Sequence, residues 1–167
     1  MTNTVAARLR QFGSWRIPSQ QGSPTRRAAA LLLRLACVAL LGWIGYIHLH
    51  LWLEGYRQIP TDGPMFLLDA IAGYALAATL LVRPAPLAGL LSVGYTAATL
   101  GALLISLTAG LFGFHESLSA SYVTQSLTIE AITIFALLGW TALAAAARRP
   151  LAHSSATDPR RARPAGA

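Results

Sequence analysis

Outside its terminal tails the chain carries few side chains able to do acid–base or coordination chemistry, and they fall in short groups. His48, His50 and Glu54 crowd one stretch, with Arg57 three residues on, and Asp69, His115, Glu116, Gln125 and Glu130 follow. At i and i+4 on a helix, His50 and Glu54 share one face. His115-Glu116 adds a second imidazole and carboxylate from a loop rich in Gly and Phe. His50, Glu54, His115 and Glu116 are therefore the candidate metal ligands, a borderline N and O set suited to zinc, copper or iron. His50, Glu54, Asp69, His115 and Glu130, if they converge in a cavity opening outward, suit a metal or a quinone head group in a redox module. His48 and His50, two residues apart, point about 200° from one another on a helix, so both face one site only if the helix unwinds. The plain alternative is that both histidines lie at a membrane interface and bond to head groups or backbone.

His48, Asp69, Gln125 and Glu130 are the polar candidates within apolar segments. Glu130 lies about nine residues into its segment, near 13 Å deep at ~1.5 Å per residue. A charged carboxylate at that depth costs ~2.5 to 3.5 kcal/mol, so it must be protonated, paired or facing a wet cavity. Two roles are open to it: a carboxyl tied to neighbouring hydroxyls such as Ser126 and Thr133, or a proton, ion or substrate site. Asp69 is shallower and suits a first-turn carboxylate favoured by the helix dipole. Glu54 with Arg57 reads as an exposed intrahelical pair worth a few tenths of a kcal/mol.

No nucleophile–base arrangement, phosphate loop or dinucleotide fingerprint is readable, and His115 lacks a second His four residues on, since position 119 is Ser. Nothing therefore points to an enzyme. The single Cys37 excludes a disulfide framework and a thiol pair.

The elements that must position these groups follow from composition. Of 167 residues, 54% are hydrophobic and 11% charged, with 13 Arg, no Lys and a mean hydropathy of +0.52. A soluble domain carries about 25% charged residues. Here ten of the Arg lie before residue 28 or after 147, leaving a middle nearly free of charge. The net charge of +7 flanks apolar runs without a nucleic-acid motif, so anionic lipid is the expected partner and nucleic acid is not.

Hydrophobic runs and breakers predict four spans, at about 28–53, 64–82, 86–109 and 121–147, each long enough for a ~30 Å hydrocarbon core. Ile59-Pro60-Thr61-Asp62-Gly63-Pro64 is a turn, with Pro64 expected to open the second helix. Arg83-Pro84-Ala85-Pro86 ends that helix and starts the next as a tight hairpin. Residues 1–27 are expected to be an Arg-rich cytoplasmic tail, with a surface helix over Val5–Trp15, and 148–167 a disordered one. Twelve Arg on one side against Arg57 alone on the other predict both termini in the cytoplasm. Gly42, Gly45, Ala70, Gly73, Ala77, Gly94, Ala97, Ala98, Gly101 and Ala131 supply small faces for close helix packing or for a homo-oligomer. The expected fold is all-α, an integral membrane antiparallel four-helix bundle.

The stretch Ile47-His48-Leu49-His50-Leu51-Trp52-Leu53-Glu54-Gly55-Tyr56-Arg57-Gln58-Ile59-Pro60-Thr61, continued by Gly63-Pro64 and Phe66-Leu67-Leu68, resembles small uncharacterised four-span membrane proteins of actinobacteria. It covers about a fifth of the chain. The overall plan is also similar to DoxX-type four-helix membrane proteins, without a motif matched residue by residue. The resemblance implies a location and a span number and brings no activity.

With no soluble domain, the expected role is a non-enzymatic plasma-membrane accessory or interaction subunit, contacting other membrane proteins through helix faces or Arg tails. Two other readings stay open. One is the metal- or quinone-binding module, and the other is a small proton-coupled transporter or oligomeric pore built around Glu130.

Overall fold

A computed structural model describes residues 23–148 of the chain. The expected surface helix at Val5–Trp15 and nearly all of the C-terminal tail lie outside these residues. The described chain forms four long helices: α1 (Pro24–Glu54), α2 (Asp62–Val82), α3 (Pro86–Thr108) and α4 (Val123–Ala146), with a 3-10 turn at Tyr56–Gln58 after α1. The shortest, α2, has 21 residues, or ~31 Å at 1.5 Å per residue. All four are long and apolar enough to cross a membrane.

Helix starts follow local chemistry more closely than hydropathy. α1 begins four residues upstream of the apolar run, because the Ser23 hydroxyl caps the Arg26 N–H and Pro24 occupies the first turn. α2 begins at Asp62, so Pro64 is its third residue rather than its first. The chain turns earlier, at Thr61, where the Asp62 N–H donates to the Pro60 carbonyl at 2.9 Å. Thr61 has φ 71° and ψ −54°, the rarer and strained hand of the γ-turn. Pro64 is tolerated because first-turn N–H groups have no helical acceptor. α1 ends at Glu54, so Arg57 lies in the 3-10 turn and not on the His50–Glu54 face.

The helices pack in a ring, α1 on α2, α2 on α3, α3 on α4 and α4 on α1, with the α1–α2 contact the most extensive. At one end, Arg148 Nη2 donates to the Pro84 carbonyl at 3.0 Å, tying the α4 terminus to the α2–α3 turn. We call this the arginine end. At the other, the loop end, Tyr56 donates to Glu116 Oε2 at 2.8 Å and joins the two remaining connections.

The core at the arginine end is apolar. Cys37, Leu41, Ala77, Leu80, Leu137 and Trp140 meet there with little solvent exposure. Gly89 lets α3 and α4 close on each other, since a Cβ there would overlap Thr141 Oγ1 and lie 3.0 Å from the Trp140 ring. Mid-helix hydroxyls are satisfied within their own helices. Ser92 donates to Ala88 O at 2.9 Å, Thr96 to Ser92 O at 2.9 Å and Thr133 to Ile129 O at 2.6 Å.

Of the small residues, Gly45, Ala70, Gly73 and Ala77 are buried. A Cβ on Gly45 would stand 3.2 Å from Ala70 O, and one on Gly73 would stand 3.1 Å from the Gly45 Cα. Gly42, Gly94 and Gly101 meet nothing within 4 Å of such a Cβ.

Candidate functional site

The Gly45–Gly73 crossing sets the position of the first two site residues. His48 is three residues beyond Gly45 on α1 and Asp69 four before Gly73 on α2, so backbone contact at the glycines brings the two side chains together. His48 Nε2 lies 3.9 Å from Asp69 Oδ2. His48 Nδ1 lies 2.9 Å from Ile44 O. Because a carbonyl only accepts, that bond fixes the proton on Nδ1 and turns Nε2 toward the carboxylate. Gly73 also gives α3 access to α2: its missing side chain leaves the Tyr95 hydroxyl room to donate to the Asp69 backbone carbonyl at 2.8 Å.

Glu130 comes from α4. It is 2% exposed, and its Oε2 has no hydrogen-bond partner. Its neighbours are the Thr99 hydroxyl on α3 and the Asp69 carboxylate, close enough for the two acids to interact electrostatically. Thr133, expected to satisfy it, instead donates to its own helix. A buried acid with an unmet oxygen needs a proton, a water or a cation.

His48, Asp69, Glu130 and Thr99 line one cavity of about 80 Å³ between the helices toward the loop end, together with Asp62, Ser106, Glu116, Tyr122 and Ser126. At ~30 Å³ per water it holds two or three waters, and it is about half the ~150 Å³ that admits benzene. Asp62 is 4% exposed and its Oδ2 is likewise without a partner. The lining contains no Arg.

The 109–122 connection covers the cavity. Glu116 accepts from Tyr56 through Oε2 and from the Ser117 N–H through Oε1 at 3.0 Å. The Tyr56 ring packs on Phe66 with centroids 4.7 Å apart and edge-on to Phe114 at 5.8 Å. Burial, and after it the adjacent Glu116 carboxylate, pushes the Tyr56 phenol pKa up, so it remains a donor. Three non-glycine residues among those described have positive φ, Thr61, Phe112 and Tyr122, and all lie in the loop-end connections. Such outliers persist only where surroundings hold them.

The metal quartet read from the sequence is not brought together. His50 Nε2 and Glu54 Oε1 pair at 3.1 Å. His50 faces away from the cavity, stacked on Tyr46 with centroids 5.5 Å apart and edge-on to Tyr122 at 5.3 Å. α1 stays helical through both histidines, so only His48 points inward. Glu116 is held by Tyr56, and the exposed His115 packs over Gly110, whose Cβ would lie 2.6 Å from the His115 Nε2. Among the described residues no group of three or more His, Cys, Asp or Glu is placed to hold a metal ion. Gln125 is exposed and does not line the cavity.

Sequence reasoning passed over Thr99, Tyr95 and Asp62 as site residues. A Thr or Tyr in an apolar helix and an Asp before Gly in a turn have common structural uses, and only the Gly45–Gly73 crossing phase selects these copies. No family model matches the chain, and no curated protein or solved structure is significantly similar to it.

Proposed function

We propose that the chain is a multi-pass plasma-membrane protein, an antiparallel four-helix bundle with both termini cytoplasmic, that binds a small polar ligand in the cavity at its loop end. The Arg distribution supports the orientation: the arginine end faces the cytoplasm, the loop end faces out, and the tails meet anionic lipid. The observation that carries the binding role is the buried Glu130, whose Oε2 is unpartnered in a cavity also lined by His48 and Asp69. A purely structural four-helix ring has no need to gather acids from two helices around an unfilled hydrogen-bond site. The ligand enters beneath the 109–122 connection, where Tyr56 and Glu116 meet.

Labelling of an introduced cysteine tests this. Ser126 lines the cavity while neighbouring Gln125 is exposed on the surface of α4. In sealed vesicles and a Cys37→Ala background, silver ion, a thiol-reactive cation small enough for the cavity, is expected to block Ser126→Cys from the non-cytoplasmic side only, read as loss of maleimide labelling after denaturation. Silence from both sides, with Gln125→Cys as the surface control, overturns the cavity reading. Reaction from the cytoplasmic side overturns the orientation.

A second reading, association with a like chain or another membrane protein, is favoured by α3. Gly94, Ala97 and Ala98 are exposed, and a Cβ on Gly94 or Gly101 would meet nothing within 4 Å. Small faces of this kind let helices approach closely in lipid. Gly94→Leu with Gly101→Leu is expected to shift the detergent-solubilised protein to smaller mass by light scattering. An unchanged mass removes this face from any self-assembly.

A further inference from the structure

The cavity's hydrogen-bonding character narrows the ligand further, and the narrowing rests on the binding role just proposed. Several donors near Glu130 have acceptors outside the cavity. The Thr99 hydroxyl lies 3.0 Å from Thr96 O and also reaches the Glu130 carboxylate, the Ser106 hydroxyl proton goes to Phe114 O at 3.3 Å, and the His48 Nδ1 proton to Ile44 O. Tyr95 spends its proton on the Asp69 carbonyl. Beside Glu130 the cavity wall presents the Asp69 carboxylate and the Thr99 oxygen. Glu130 Oε2 and Asp62 Oδ2 add buried, unpartnered oxygens. With no Arg in the lining, the Ser126 and Tyr122 hydroxyls are the remaining side-chain donors. Such a surplus of acceptors within a bilayer is balanced by a positive charge.

We infer that the ligand is a monovalent alkali cation that competes with a proton for the Glu130 carboxylate. Divalent ions are disfavoured because they draw on several charged oxygens at ~2.0–2.6 Å, and no three such groups are gathered among the described residues. The cavity of about 80 Å³ suits one ion with one or two waters. Thr99 Oγ1 and those waters complete its shell. The groups facing Glu130 are His48 from α1, Asp62 and Asp69 from α2, Tyr95 and Thr99 from α3, and Glu116 and Tyr122 from the covering connection. A proton on Glu130 removes the charge that holds the ion.

The full chain in detergent is melted while LiCl, NaCl and KCl are each titrated against N-methylglucamine chloride at constant ionic strength, from pH 5 to pH 9. At least one alkali ion is expected to raise the melting temperature saturably. Its apparent affinity should weaken about tenfold per pH unit on the acid side, because one ion displaces one proton. Glu130→Gln should melt at a similar temperature and lose the ion response. On the wild-type chain, dicyclohexylcarbodiimide should modify Glu130, and the same ion should slow that reaction at least tenfold, a readout that holds even if the Gln variant does not assemble. A response to pH with none to any alkali ion overturns the inference, as does an undiminished response in Glu130→Gln or unprotected carbodiimide labelling. If Ser126→Cys is reached by silver ion while no alkali ion acts, the cavity reading stands and the cation assignment falls. If Ser126→Cys is silent, both fall.

Discussion

The buried hydroxyls at mid-helix and the buried acids of the loop end are partnered in different ways. At mid-helix, Ser92, Thr96 and Thr133 bury hydroxyls that each bond to a carbonyl of their own helix, while toward the arginine end Leu41, Leu80, Leu137 and Trp140 fill the space between helices and Thr141 Oγ1 is buried without a hydrogen-bond partner. Toward the loop end, acids from two helices face a cavity with two carboxylate oxygens left without partners. A hydroxyl can be silenced locally because the helix offers it a carbonyl one turn back. A carboxylate finds no such partner within its helix and must be answered across the bundle. Apolar packing therefore dominates the arginine end, and the loop end gathers carboxylates around a cavity.

Substitutions break or sharpen this contrast in a graded way. The largest expected loss is at the arginine end: Gly89→Ala forces its Cβ onto Thr141 Oγ1 and the Trp140 ring, an overpacking of ~1–3 kcal/mol. Thermal melts in detergent should show it, and adding Thr141→Ala should recover part of the loss. No change in melting would mean that α3 and α4 do not close at Gly89.

Next is the Tyr56–Glu116 bond, whose removal by Tyr56→Phe should cost about 1 kcal/mol while leaving the four helices intact by circular dichroism. The folded phenol pKa is raised, so its stabilisation is present below the ordinary phenol range of ~10 and lost as pH climbs beyond it. The wild-type alkaline loss should be shallower in Tyr56→Phe, and parallel alkaline curves for the two chains would refute the assignment.

Smaller still is the exposed His50–Glu54 pair. A double-mutant cycle of His50→Ala and Glu54→Ala should return a coupling of about 0.3–0.5 kcal/mol, and a coupling several times larger would restore a site on that face. The smallest effect on stability is expected from Glu130→Gln, in which an amide replaces the acid at similar volume. A strongly destabilised but otherwise folded variant would show that Glu130 holds the bundle together and would erase the division between the two ends.

The spans were legible in the sequence because charge depletion and Pro-rich breakers act over whole segments, as Arg83-Pro84-Ala85-Pro86 does between α2 and α3. Glu130 and Asp69 stood out by depth alone. The quartet of His50, Glu54, His115 and Glu116 did not assemble, because shared helix phase says nothing about which face turns inward. That choice is made at Gly45 and Gly73, where the closest backbone approach selects His48 over His50. The start of α2 was missed because hydropathy does not register a γ-turn at Thr61, which places Asp62 inside the helix and its carboxylate in the cavity wall.

That turn has a consequence for the resting balance of the molecule. A β-branched residue at φ 71° is held about 1–3 kcal/mol above its relaxed conformation, in the backbone directly before a cavity wall. Glycine takes that conformation without steric penalty, at an entropic loss of roughly 0.5–1 kcal/mol. Thr61→Gly is therefore a change toward simplicity that should raise the melting temperature rather than lower it. The native threonine keeps this end of the protein like a bent spring, in the turn that sets Asp62 into the cavity wall.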